Sequence, residues 1–299
     1  MNYPLSMYIN FNIEFIIQIL KAILFGIVEG ISEWLPISST GHMILLEDFL
    51  NVTNMFTKEG FENYGEAFWG LFLVVIQLGA IGAVIIYFFN KLWPFSKNKT
   101  KEEKIVVYHT WGKTLLACIP AAIIGLLFDD FLDEHLYNAL TVSITLVIYG
   151  ILFIVIEHFF KKKEFKIHST KNMSYKTALI IGLMQLLALI PGTSRSGVTI
   201  LGAMLIGVNR ETSAEFSFFL SIPVMLGASL LKVVKFVLEF GMFGLQEGIF
   251  LLVGFLMAFI VSLLTVKWLM NFVKKHNFKP FGIYRIVLGI ILLIYFIIS

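Results

Sequence analysis

Pro191-Gly-Thr-Ser-Arg-Ser-Gly-Val-Thr199 sets Arg195 and four hydroxyl side chains, Thr193, Ser194, Ser196 and Thr199, between the apolar runs 178–190 and 198–208. An ionisable group at such a depth in a bilayer is costly, which makes it a functional-site candidate with a partner still to be found. The planar guanidinium fork fits phosphate oxygens and the hydroxyls add donors, so the local chemistry is that of an oxyanion cradle. The surrounding chain supplies the bilayer setting. Of its 299 residues 58% are apolar and 14% charged, with 30 Phe, and the mean hydropathy of +0.85 exceeds that of a soluble domain. The single cysteine, Cys118, excludes an intrachain disulfide. The first lysine is Lys21, so the N-terminal stretch lacks the basic region of a cleavable signal.

Six segments are long and apolar enough to cross a membrane, at 67–90, 112–128, 139–159, 214–236, 248–270 and 281–298. Two others, 22–35 and 176–190, reach a proline after ~22 Å of helix, short of a ~30 Å hydrocarbon core, although apolar residues from Phe11 leave a tilted span as the alternative for the first. Each is followed by a small-residue turn and a second short apolar run, the pattern of a re-entrant helical hairpin. The expected fold is therefore all-α and integral to the membrane, with six transmembrane helices plus two re-entrant hairpins. Residues 1–21 read as an N-terminal extension, 22–159 as a first half, 160–176 as a basic linker and 177–299 as a second half.

Sixteen of the 23 Lys and Arg lie in the loops 90–113, 160–176 and 267–279, which places those loops in the cytoplasm. The net charge of +3 is accounted for by this topology and is no nucleic-acid footprint. The segments 129–138 (Asp129, Asp130, Asp133, Glu134) and 238–248 carry no Lys or Arg and are expected outside. With three spans and one hairpin per half, the halves take opposite orientations, an inverted-topology repeat. The stretch Gly26–Gly41 can be laid over Gly182–Gly197 with a gap before the proline, matching Ser39 to Ser194 and Ser38 to Thr193. After each hairpin comes a cap-like start, Asn63-x-x-Glu66 and Thr212-x-x-Glu215.

The two copies carry complementary chemistry. In the first hairpin Glu29 and Glu33 are four apart on one helix face, followed by Ser38, Ser39, Thr40 and His42. Two carboxylates in a low dielectric repel unless a cation or proton relieves them, and magnesium or calcium takes carboxylate oxygens. Ser39 and His42 share a helix face, as a nucleophile and its base do, with a water positioned by Ser39 or His42 itself as the alternative attacking groups. The second hairpin has Gln185 in place of Glu29 and supplies Arg195 instead. Taken alone, the hydroxyl-rich turns also read as close helix packing, and Glu29, Glu33 and Arg195 as a structural ion pair; His42 weighs toward chemistry.

At these motifs the chain resembles the undecaprenyl-diphosphate phosphatase family, the bacterial bacitracin-resistance proteins. The matching patterns are Glu29 to Glu33, Ser38-Ser-Thr-Gly-His42 and Pro191 to Thr199, and the resemblance extends from about Ala22 to the end. It implies hydrolysis of a polyprenyl diphosphate lipid to its monophosphate and phosphate, recycling the carrier for peptidoglycan and conferring bacitracin resistance. It also implies a multi-pass protein of the bacterial plasma membrane, with its site toward the extracytoplasmic face. The expected roles are catalytic for Ser39, His42, Arg195, Glu29 and Glu33; substrate-binding for Ser38, Thr40, Thr193, Ser194, Ser196 and Thr199; and divalent-cation binding for Glu29 and Glu33. A lipid flippase or transporter using the same anion site is the alternative, and the sequence allows a homodimer.

Overall fold

A computed structural model describes residues 13–136, 138–160 and 164–298. Among them there is no strand, only isolated bridges joining Lys58 to Phe61 and Ile167 to Val208. The helices are α1 Ile13–Ser32, α2 Ser39–Leu50, α3 Tyr64–Tyr87, the short α4 Phe89–Leu92, α5 Lys101–Leu136 and α6 Ala139–Phe159. There follow α7 Tyr175–Met184, continued by a 3₁₀ turn Gln185–Leu189, then α8 Arg195–Leu205, α9 Arg210–Phe240, α10 Leu245–Lys275 and α11 Lys279–Ile298.

Seven of these are long and apolar enough to cross a membrane: α1, α3, α5, α6, α9, α10 and α11. The seventh is the first arm of the first hairpin, expected to begin at Ala22. Its helix starts at Ile13 and has 20 residues, about the length of a span. Lys21 is no barrier to this extension, because its amine turns to the Leu50 carbonyl at the end of α2 and lies 3.2 Å from the Met55 sulfur. The second hairpin is short as expected, since α7 tightens into the 3₁₀ turn and stops before Pro191.

Two further boundaries move. The segment 129–138 is helical to Leu136 and so extends α5, although the side chains of Asp129, Asp130, Asp133 and Glu134 lie outside the described residues, as do Lys161, Lys162 and Lys163. α9 begins at Arg210, with Asn209 accepting the Thr212 amide as its cap; Thr212 is already inside the helix. Asn63 before α3 makes no side-chain cap bond.

Helix pairings come in matched sets. α1 lies on α10, where a Cβ on Gly26 would sit 2.7 Å from the Gly254 carbonyl. α7 lies on α5 in the same way, a Cβ on Gly182 falling 2.2 Å from the Ala117 carbonyl. Small residues are what allow backbones to approach this closely in a membrane protein. α6 pairs with α11 through Gly150 and Gly282, each of which faces the other's carbonyl at 2.7 Å from its ideal Cβ. α3 packs on both α9 and α10, burying Phe68, Phe72 and Phe250 in one aromatic cluster. At the end of α6 the buried Glu157 accepts from Arg210 Nε at 2.9 Å and from the Phe278 amide at 2.9 Å, tying the starts of α9 and α11 together.

Candidate active site

Both hairpin tips end in a serine whose backbone is unusual for a side-chain-bearing residue. Ser38 has φ 72° and ψ 98°, Ser194 has φ 70° and ψ 112°, and each directly precedes a helix, α2 or α8. Positive φ at a non-glycine costs on the order of 1–3 kcal/mol, and such strain gathers at functional sites. The shared geometry also corrects the register of the two hairpins. Ser38, not Ser39, is the counterpart of Ser194, so Ser39 corresponds to Arg195 and His42 to Val198. Gly26 with Gly182 and Ser38 with Ser194 are the same distance apart in sequence, so no net gap separates the ends. The prolines mislead because each fixes only its own φ, and the path inside the two tips differs.

The two corresponding side chains meet on one carboxylate. Glu33 follows the last residue of α1, and its amide donates to the Glu29 carbonyl at 3.0 Å, carrying the helical path one residue further. Its Oε1 accepts from Arg195 Nη2 at 2.9 Å and its Oε2 from Ser39 Oγ at 2.7 Å. One oxygen is therefore served by each half. Both charged groups are nearly out of reach of solvent, their side chains 13% and 8% exposed. Removing one member of such a pair leaves the other buried without compensation.

Arg195 is held from several sides. Its Nη1 donates to the Ser217 carbonyl at 2.9 Å, and the guanidinium carbon lies 6.0 Å from the ring centroid of the fully buried Trp34. Thr199 Oγ1 donates to the Arg195 carbonyl at 2.9 Å and lies 2.6 Å from Ser217 Oγ. Ser196 Oγ reaches across to the carbonyls of Glu33 and Leu35 at 3.3 and 3.4 Å. Ser194 Oγ accepts the Gly197 amide at 3.2 Å and so caps α8. Ser38 makes no such bond; its buried hydroxyl has no partner, and neither does that of the buried Thr193. Thr40 is half-buried in the first turn of α2.

His42 does not pair with Ser39 as its spacing suggests. Its Nδ1 lies 2.7 Å from the Ser38 carbonyl, which can only accept, so this nitrogen carries the hydrogen. In the neutral ring Nε2 is then an acceptor, and the Tyr284 hydroxyl sits 2.6 Å from it with the two rings stacked. Glu29 is 1% exposed and its Oε1 has no donor. Among the described residues no three His, Cys, Asp or Glu side chains gather as metal ligands. A cation here would rest on Glu29 and Glu33, and of the two Glu29 has the uncommitted oxygen.

Sequence reasoning missed two residues of α11. Tyr284 binds His42, and Arg285, wholly buried, donates to the carbonyls of Pro36, Gly192 and Thr193. The signal was available for Arg285: it is a charge inside an apolar span, the same observation that singled out Arg195.

A multi-pass helical membrane protein that joins a guanidinium, a carboxylate and a serine hydroxyl from two separate hairpins has the makings of a phosphate-handling site. The chain belongs to the bacitracin resistance protein BacA family, whose family model matches residues 22–291. It is 53% identical over 279 residues to an undecaprenyl-diphosphatase of Enterococcus faecalis, covering 93% of this chain and 98% of the relative. It is 52% identical over 281 residues to that of Acetivibrio thermocellus, with 94% and 98% covered. To undecaprenyl-diphosphatase 1 of Clostridium acetobutylicum it is 54% identical over 283 residues, again with 94% and 98% covered.

Proposed function

We propose that the chain hydrolyses undecaprenyl diphosphate to undecaprenyl phosphate and inorganic phosphate, recycling the lipid carrier of peptidoglycan synthesis and so countering bacitracin. The observation that carries the reading is the meeting of Arg195 and Ser39 on Glu33, supported by the names of the relatives. Arg195 exchanges part of its hold on Glu33 for the terminal phosphate, and the α2 and α8 amides add N-terminal dipoles that favour an anion. Ser39 Oγ attacks the terminal phosphorus, the anhydride P–O bond breaks, and the lipid monophosphate leaves. The Ser39 proton passes to Glu33, its partner at 2.7 Å, rather than to His42. Water then releases phosphate from the serine. His42, fixed between Ser38 and Tyr284, orients the first turn of α2. Ser194, Ser196, Thr193, Ser38 and Thr40 line the tips, and the free hydroxyls of Ser38 and Thr193 are available as donors.

The orphaned Glu29 oxygen fits a divalent cation, magnesium or calcium, held with Glu33. Such an ion would offset the charge of the diphosphate.

On this reading the basic loops face the cytoplasm and α2 and α8 are the return arms of re-entrant hairpins, and the matched pairings support an arrangement in inverted halves. The first hairpin then opens to the extracytoplasmic face of the plasma membrane. The same pairings favour lipid translocation as a second reading, because inverted repeats with broken helices are a transporter architecture. Phosphate release from a polyprenyl diphosphate by purified protein, with and without chelator, separates the two. No release under any metal condition, with lipid movement retained in vesicles, would replace the hydrolase by the transporter.

A further inference from the structure

Arg285 projects from α11 into the seam between the two hairpins and is 0% exposed. Its Nη1 donates to the Pro36 carbonyl at 3.2 Å, and its Nη2 to the carbonyls of Gly192 and Thr193 at 2.9 and 3.0 Å. Pro36 and Gly192 each stand two residues before the strained serine of their hairpin. One side chain, belonging to neither hairpin, thus bridges corresponding places on both. The face of Tyr149 also lies against it, the ring centroid 5.7 Å from the guanidinium carbon. Among the described residues none of its hydrogen-bond partners is a carboxylate.

A guanidinium buried without a carboxylate is an expensive way to fill space. A planar fork with two separate arms is also the side chain best suited to hold two carbonyls apart at a set distance. Its Nε has no partner among the described residues but is buried with the rest of the side chain, so a ligand would reach it only if the tips parted. The geometry points to Arg285 as a positioning residue for phosphoryl transfer: it sets the separation of the tips at which Ser39 of one and Arg195 of the other meet on Glu33. It acts on the reaction through the backbone at Pro36 and Gly192, and this role rests on the hydrolase reading above.

The test uses the purified full chain with a polyprenyl diphosphate, the wild type assayed alongside Arg285→Lys and Arg285→Gln, and thermal unfolding followed for all three. Lysine keeps the charge on one nitrogen and cannot span both tips; glutamine keeps a flat donor and loses the charge. A misplacement of about 1 Å costs roughly 10²-fold in rate. Both variants are therefore expected to lose on the order of 10- to 100-fold in kcat, with KM within about threefold of the wild type and the fold retained. A rise in KM with kcat preserved would make Arg285 a substrate ligand and overturn the role. Full activity in Arg285→Lys would reduce it to a charge effect, and unfolding of both variants would reduce it to stability; either overturns positioning. A silent wild type removes the hydrolase reading and this inference with it, whereas variants equal to an active wild type remove this inference alone.

Discussion

The two hairpin tips share a backbone and differ in almost every side chain that matters. Both end in a serine at φ near 70°, both launch a helix of 11 or 12 residues, and both seat their first arm on another helix through a glycine. Yet the position after the strained serine is Ser39 in one and Arg195 in the other, and Glu29 in one is Gln185 in the other. Backbone equivalence delivers two side chains to one point from opposite directions. Divergence of the side chains turns that point from a repeated surface into a site with an acid, a hydroxyl and a cation.

This contrast can be broken most directly at its cationic end. Arg195→Ala should lower phosphate release by about 10³-fold or more, since it removes a charged donor from a low-dielectric site. Thermal unfolding should show a folded protein weakened by roughly 3–5 kcal/mol, because Glu33 keeps its burial and loses its partner. Activity within tenfold of wild type would end the assignment. At the matching position of the first hairpin, Ser39→Ala is expected to cost on the order of 10³-fold in kcat. An unchanged rate there would mean that water attacks without the serine.

Next in size is the carboxylate–amide pair. Glu29→Gln gives the first hairpin the side chain of the second, and turnover should fall about 10²-fold with the magnesium or calcium concentration for half-maximal activity shifted upward. Gln185→Leu should leave activity within a few-fold, because both polar atoms of Gln185 are buried without partners and their loss relieves rather than breaks a bond. Equal losses from the two substitutions would show that the halves contribute alike. Smallest are the strained serines themselves. Ser194→Ala should destabilise by about 1 kcal/mol through its cap bond to Gly197, and Ser38→Ala by much less because it makes none, a difference visible in thermal unfolding.

Much of this was legible in the chain. The buried-charge argument at Arg195, the i, i+4 carboxylates and the hydroxyl-rich turns picked out residues that the fold brings together, because each is a local pattern with a local cost. What could not be read depended on contacts distant in sequence. The apolar run sets the start of the first hairpin arm at Ala22, whereas the helix takes in Lys21 because its amine reaches the Leu50 carbonyl. Prolines were the visible landmarks for register, while the equivalence resides in dihedral angles of Ser38 and Ser194 that no residue type announces. Spacing alone puts His42 on the face of Ser39, but Tyr284 of the last helix takes its second nitrogen.

The reciprocal contact of Gly150 with Gly282 has an evolutionary corollary. A face that meets its own counterpart can be supplied twice by one half-length chain pairing with a copy of itself. In such an ancestor every substitution would appear on both sides of the axis, so an arginine gained at the 195 position would have displaced the serine at the 39 position as well. Were the present halves two joined copies of such a chain, nucleophile and cation could occupy corresponding places at once only after the joining.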